Sequence, residues 1–214
     1  LFGFVSVSGG FGIEKKTGQD LYISGSGAEN VKVKADLMTI GLSNVSAFVG
    51  AGEMGLRLTG VNLAIALWSE VVAEGQTART WTSVMGAVGS AAFEGLSGLT
   101  IAVTSAGIVI NKENEIDQTV VDYVQGDGET NATDLTVTVG PGETVEFAID
   151  DTNGDYLQVT GIADIDLFGF VSVSGGFGIE KKTGQDLYIS GSGVENVKVK
   201  ADLLTIGLSN VSAF

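Results

Sequence analysis

The clearest candidate for chemistry in this chain is a short acidic turn at residues 150–155, with the sequence DDTNGD. Asp151, Asn153 and Asp155 place side-chain oxygen atoms at alternate positions, and Gly154 permits a tight turn between them. Hard cations prefer oxygen donors, so we expect a calcium site formed by Asp150, Asp151, Asn153 and Asp155. The pattern departs from an EF-hand loop, because the glycine precedes the last donor and no closing glutamate follows. A hairpin turn without metal is the alternative.

Negative charge is concentrated around this turn. Segment 111–166 carries 14 acidic residues and one base, Lys112, and therefore holds −13 of the net charge of −15. Such a surface repels nucleic acid, which is bound through Lys and Arg, and it attracts divalent cations. The acidic loop GDGE at 126–129, together with Asp134, is a second and weaker candidate for calcium.

The chain contains few of the residue types on which enzymes depend for catalysis. It contains no His and no Cys, which removes imidazole-dependent triads, thiol nucleophiles and zinc–thiolate sites. Asp164 and Asp166 lie two positions apart, as a carboxylate pair of a glycosidase could. A strand accounts for them more simply, because it places both on a solvent face. We therefore predict that the protein is not an enzyme.

The elements that must position these residues are predicted to be strands almost throughout. Apolar and polar residues alternate with a period of two in VKVKADL at 31–37, and again at 135–139 and 145–149. The chain has 32 Gly and one Pro, so we expect tight glycine turns between the strands. It has no uncharged apolar run of about 18 residues, which argues against a membrane span. The sequence predicts an all-β fold with essentially no helix.

A long internal repeat sets the domain organisation. Residues 1–48 recur at 167–214 with 46 of 48 positions identical, and both differences are exchanges between apolar residues. We interpret residues 1–166 as one full repeat unit and residues 167–214 as the start of the next unit in a tandem array. Three long apolar runs within this period indicate three modules, ending near residues 67, 110 and 166.

Two ways of stacking these modules remain open. A β-solenoid places equivalent runs in register about 4.8 Å apart, whereas a long-strand antiparallel meander pairs each run with the strand that returns after its turn. The run at 156–182 is about 90 Å long if straight, so it must bend, at Gly161, at Gly169 or at 175–176. Such bends slightly favour the solenoid. In either arrangement, the low charge of the runs predicts that both sheet faces are covered.

The segments FVSVSGGFGIEK, NVSAFVGAG, GLRLTGVNLAIAL and GLSGLTIAVTSAGIVIN, in this order, resemble the long repeats of giant bacterial surface and secreted proteins of the adhesin-like or matrix-like type. This resemblance covers nearly the whole repeat unit. It implies a β-rich fold and an extracellular or cell-surface location, and it supplies no catalytic residues.

Repeat and resemblance together predict a structural unit of an elongated fibre, sheath or adhesive stalk. Its expected partners are neighbouring repeats or identical chains, which assemble by covering one another's open edges. The alternative is a modular adhesin that binds cell-surface glycans through acidic, calcium-loaded loops.

Overall fold

The computed structural model describes residues 4–25, 28–124, 132–191 and 194–214, and it confirms the all-β prediction. The strands are β1 (Val5–Gly25), β2 (Ala28–Ala51), β3 (Met54–Glu70), β4 (Thr80–Glu94), β5 (Leu99–Lys112), β6 (Val120–Val121), β7 (Thr136–Gly140), β8 (Glu143–Glu146), β9 (Tyr156–Leu167), β10 (Val171–Gly191) and β11 (Val194–Ala213). The only helical element in these ranges is a short 3-10 turn at Asp151–Asn153. No helix of the described residues is long and apolar enough to cross a membrane.

Nine of the strands form one antiparallel sheet in the order β11-β10-β9-β5-β4-β3-β2-β1-β6, and β7 and β8 form a separate hairpin. The long strands follow one another as a meander, and no closed solenoid forms within the described ranges. The prediction that slightly favoured a solenoid is therefore wrong, and the long strands form the antiparallel meander that was its alternative. The apolar runs GLRLTGVNLAIAL and GLSGLTIAVTSAGIVIN, and FVSVSGGFGIEK of the second copy, lie largely in β3, β5 and β10, which are separated in the sheet by the returning strands β4 and β9.

The run at 156–182 bends at one of the predicted glycines, but as a hairpin rather than as a corner of a solenoid. β9 ends at Leu167 and the chain turns through Phe168 and Gly169, with φ angles of 56° and 70°. The Gly169 N–H donates to Asp166 Oδ1 at 3.0 Å. Glycine adopts such a positive φ without strain, so the chain folds back on itself here.

The two copies of the repeated sequence form the same hairpin. Each residue pair between β10 and β11, from Val173–Ala213 to Gly191–Val194, has a counterpart between β1 and β2 166 positions earlier. The irregularities in register also fall at equivalent positions in the two hairpins. The repeated sequence therefore specifies one pairing pattern, although its neighbours in the sheet differ between the two copies.

Six long strands of the sheet, β1 to β5 and β9, precede the second copy, and the two-residue strand β6 pairs with the end of β1. Directly paired residues lead across the sheet from Gly12 through Gly41, Ala64, Met85, Val109 and Gln158 to Glu180. The equivalent of Gly12 is Gly178, so the second copy is displaced by two residues, or about 7 Å along the strands. Paired residues share a face and side chains alternate, so equivalent residues of the two copies face the same side.

The described residues of segment 113–155 fold over one face of the sheet, and we call this segment the cap. It is described at 113–124 and 132–155, and it includes β6, which pairs with the end of β1, and the β7–β8 hairpin, which lies against β1, β2 and β3. The core forms between sheet and cap. The sheet contributes Leu21, Ile23, Ala35, Leu37, Ala64, Ala66, Trp68, Trp81 and Tyr156, and the cap contributes Val121, Tyr123, Leu135, Val137, Val139, Phe147 and Ile149.

Much of the sheet outside the cap is open to solvent. On the face opposite to the cap, Phe11 and Ile13 are exposed. On the cap side, Leu187 and Leu203 of the second copy are exposed, although they are equivalent to the core residues Leu21 and Leu37. Within the described residues, the cap covers one face of part of the sheet, so the expectation that both sheet faces are covered is wrong.

Candidate functional site

The acidic turn at 150–155 ends the cap and leads directly into β9. Asp150 caps the 3-10 turn, because its Oδ1 accepts hydrogen bonds from Thr152 N at 2.8 Å and from Thr152 Oγ1 at 2.5 Å. Asn153 Nδ2 donates to the Asp150 carbonyl at 3.1 Å, and Gly154 N donates to the Asp151 carbonyl at 2.9 Å. The predicted glycine turn is present, and these hydrogen bonds close it.

The same turn contacts both copies of the repeated hairpin. At the end of β1, Ser24 Oγ donates a hydrogen bond to Asp151 Oδ2. In β10, Thr183 Oγ1 accepts a hydrogen bond of 2.8 Å from Asp155 N. The turn also approaches β10 closely, since a Cβ atom added at Gly154 would lie 2.7 Å from the Thr183 carbonyl oxygen. The turn is therefore a joint between the first copy and the second.

Asp155 is the buried charge of this joint, with 8% of its surface exposed. Lys181 Nζ lies 2.9 Å from its Oδ2 and Lys112 Nζ lies 3.3 Å from its Oδ1, while Glu113 N donates to Oδ1 at 3.3 Å. Burial acts to raise the pKa of Asp155, but the two ammonium groups and the backbone donor outweigh it and hold the pKa below its ordinary value of 3.8. The carboxylate is therefore ionised at neutral pH.

Replacing Asp155 with asparagine is expected to lower the free energy of unfolding at pH 7 by about 1–3 kcal/mol, because two lysines lose their buried partner. A lowered folded-state pKa contributes stability above the unfolded pKa, and this contribution is lost as the pH falls through the folded value. The difference between wild type and Asp155→Asn should therefore shrink below about pH 3.8. Urea denaturation across a pH series measures it.

Asp186→Asn is the matched control, because Asp186 also bridges two lysines, Lys198 and Lys200, but its side chain is 39% exposed. Exposed ion pairs contribute little to stability, so this change of the same charge should have a much smaller effect. If both variants lost the same free energy of unfolding, the assignment of Asp155 as a buried, stabilising charge would be contradicted.

The calcium site stays a prediction. Asp150, Asp151, Asn153 and Asp155 all lie in the one turn, and each makes the hydrogen bonds or ion pairs described above. Among the residues that the structure describes, no three His, Cys, Asp or Glu residues are grouped so as to hold a metal ion. The GDGE loop at 126–129 lies outside the described residues, and Asp134 is exposed.

If the turn binds calcium, the melting temperature should rise with calcium, stay unchanged with magnesium, and fall again with chelator. Asp151→Ala should abolish that gain because it removes a carboxylate ligand. Ser24→Ala is the matched control, since it removes the hydroxyl that contacts Asp151 and leaves the carboxylate in place. Equal melting temperatures in all three conditions would contradict calcium binding, and protein hydrogen bonds and ion pairs alone would then account for the turn.

Asp164 and Asp166, the carboxylate pair considered above, both lie on β9. Asp164 is exposed, and Asp166 accepts the hydrogen bond from Gly169 that closes the turn between β9 and β10. Asp166 therefore has a local structural role in the hairpin that starts the second copy.

A buried polar network, which the sequence reasoning missed, fixes the cap to the sheet. Trp68 Nε1 donates to Tyr123 Oη at 3.1 Å, and Tyr123 Oη donates to Ser83 Oγ at 2.9 Å. Ser83 Oγ donates to Asn111 Oδ1 at 2.9 Å, and Asn111 Nδ2 donates to the Val121 carbonyl at 2.7 Å. Burial raises the pKa of Tyr123, so its hydroxyl stays a donor. Polar residues at core-facing positions of apolar runs are the signal that could have revealed this network.

A second contact holds the start of the cap. Arg79, in the connection between β3 and β4, donates to Glu70 Oε1 at 2.6 Å and to Asp117 Oδ2 at 2.7 Å. Its guanidinium also lies 5.3 Å from the Trp81 ring centroid, within cation–π range. Hydrogen bonding to Arg79 lowers the pKa of Glu70. The cap is thus attached to the sheet by an ionic cluster as well as by its apolar core.

No protein-family model, no curated protein and no solved structure matches this chain. The fold and the site together define an all-β protein. Its repeated hairpin lies towards each of the two ends of the strand order of one sheet, and an acidic turn contacts both copies.

Proposed function

We propose that this chain is a structural repeat of a giant extracellular protein, in which successive units continue one antiparallel sheet to form a fibre, sheath or adhesive stalk at the cell surface. The junction between β9 and β10 carries the proposal. β9 closes the 166-residue unit and β10 begins the second copy, and eleven consecutive residue pairs, from Leu157–Lys181 to Leu167–Val171, join them. The second copy is thus added to the sheet in the same antiparallel way as the strands within the unit.

The open edges of the sheet support this proposal. β1 has the sequence of β10, and among the described residues only its Ile23 and Ser24 pair with a strand on the side away from β2. A strand equivalent to β9 fits this edge with the register seen at β10. At the other side of the sheet, β11 presents the edge that its equivalent, β2, uses to pair with β3. Unpaired strand edges promote association, and both of these edges match a further unit.

The acidic turn supports the proposal because it bonds to both copies at once. It reaches β1 through Ser24, and it reaches β10 through Lys181 and Thr183. In the first copy the equivalent positions are Lys15 and Thr17, and in the proposed array they bind the turn of the preceding unit. A role in joining successive units accounts for carboxylates that bond to two separate hairpins.

Chains containing one, two and three units before the final hairpin test the proposal. Small-angle scattering should show the maximum dimension growing by a constant increment per unit, at most about 29 Å for six strands spaced about 4.8 Å apart. The 214-residue chain itself should associate in a concentration-dependent manner through its open edges. A monodisperse monomer at high concentration, with longer chains folding into compact particles, would overturn the proposal. Glycan binding by such monomers would favour the adhesin alternative.

A further inference from the structure

Two nearly identical surfaces of this protein differ in whether anything covers them. In the first copy, Leu21, Ile23 and Leu37 lie under the cap and are 0%, 0% and 3% exposed. Their equivalents Leu187, Ile189 and Leu203 are 49%, 44% and 45% exposed. The hairpin register is the same in both copies, so the difference arises from what surrounds each hairpin: the cap covers the first copy, and β2 also has β3 as a neighbour.

The glycine that seats the cap is also repeated. The cap backbone lies directly on Gly41, where an added Cβ would meet the Thr138 carbonyl oxygen at 2.2 Å and the Val139 Cα at 2.5 Å. The equivalent Gly207 has no atom within 4 Å of such a Cβ. The second copy therefore has a glycine at the position where the cap backbone contacts the first copy, although no contact within its own hairpin requires a glycine there.

The strand edge that receives the cap is repeated as well. In the first copy, Ile23 pairs with Val121 of the cap, and Tyr22 N donates to Thr133 Oγ1 at 2.9 Å. In the second copy, the pairing of β10 with β9 stops at Lys181, so the corresponding edge at 187–190 is open. The displacement of two residues between the copies keeps this surface on the cap side of the sheet.

We infer that the hairpin β10–β11 binds a second copy of the cap, supplied by the repeat unit that begins at Leu167. Its occupant is a segment with the sequence of residues 113–155, seated on Gly207 and packed against Leu187, Ile189 and Leu203. The inference rests on the proposed function, since it requires a further unit of the array. It adds that each unit folds its cap back onto the hairpin with which that unit starts.

A longer chain, in which the sequence of residues 49–166 follows Phe214, tests this inference by amide hydrogen exchange. Protection at 187–190 should rise from that of an exposed strand to the level measured at 21–24 in the same molecule. Gly207→Val should abolish the gain in the longer chain, and it should leave exchange in the 214-residue chain unchanged.

Exchange at 187–190 that stays as fast in the longer chain as in the 214-residue chain would overturn the inference. Scattering on the same sample separates this failure from failure of the proposed function. A longer particle with an unprotected second hairpin contradicts the cap inference alone. A protected second hairpin in a particle that does not lengthen supports the cap inference and contradicts the fibre.

Discussion

Leu21→Ala is expected to lower the free energy of unfolding by about 2–5 kcal/mol, whereas Leu187→Ala should lower it by less than about 1 kcal/mol. The two leucines occupy equivalent positions in the two copies of the repeated sequence, so the local strand sequence is the same. Leu21 is fully buried between β1 and the cap, and its truncation leaves a cavity in the core. Leu187 is 49% exposed, so truncating it removes much less buried surface.

Urea denaturation followed by tryptophan fluorescence measures this difference. The two tryptophans, Trp68 and Trp81, are both buried in the core beneath the cap, so their emission reports on loss of the cap. The equivalent pair Leu37→Ala and Leu203→Ala provides an independent repetition on the neighbouring strand. Equal losses at Leu21 and Leu187 would show that burial by the cap does not distinguish the two hairpins.

Gly41→Ala is expected to destabilise the protein by about 1–3 kcal/mol, whereas Gly207→Ala should be neutral or slightly stabilising. At Gly41 the new methyl group overlaps the cap backbone at Thr138 and Val139, and backbone atoms cannot move aside as a flexible side chain would. At Gly207 the methyl group meets no neighbouring atom. Alanine also loses less backbone entropy on folding than glycine, which favours the second variant.

The same tryptophan fluorescence separates two responses to Gly41→Ala. A displaced cap exposes Trp68 and Trp81 and shifts their emission to longer wavelength before the sheet unfolds. The Gly207 variant should keep the wild-type spectrum. If Gly41→Ala kept both the wild-type stability and the wild-type spectrum, the close seating of the cap on β2 would be refuted.

Alternation of apolar and polar residues predicted the strands well, because side chains on a strand point to opposite faces in turn. At 135–139 the alternating residues Leu135, Val137 and Val139 do form a buried face. The pattern does not specify what that face packs against. The packing of the cap on β1, β2 and β3 depends on contacts between residues far apart in the chain, and alternation within one strand carries no information about them.

The candidate site was also predicted only in part, because local sequence patterns reveal a turn but not its distant partners. The turn at 150–155 was found through Gly154, because a tight turn has a local sequence requirement. The partners of Asp155 were missed, since Lys112 and Lys181 lie 43 and 26 positions away and converge only when β5, β9 and β10 assemble. The polar network around Tyr123 escaped because its members come from three strands and the cap.

In the proposed array, whole 166-residue periods can be added or removed without disturbing the fold. Each period contributes six long strands to the meander, an even number, so every strand downstream of an insertion keeps its direction. The displacement per period is also even, so every downstream core residue keeps its side of the sheet. An odd number in either place would invert the rest of the molecule, and the proposed array can therefore differ in length by whole units.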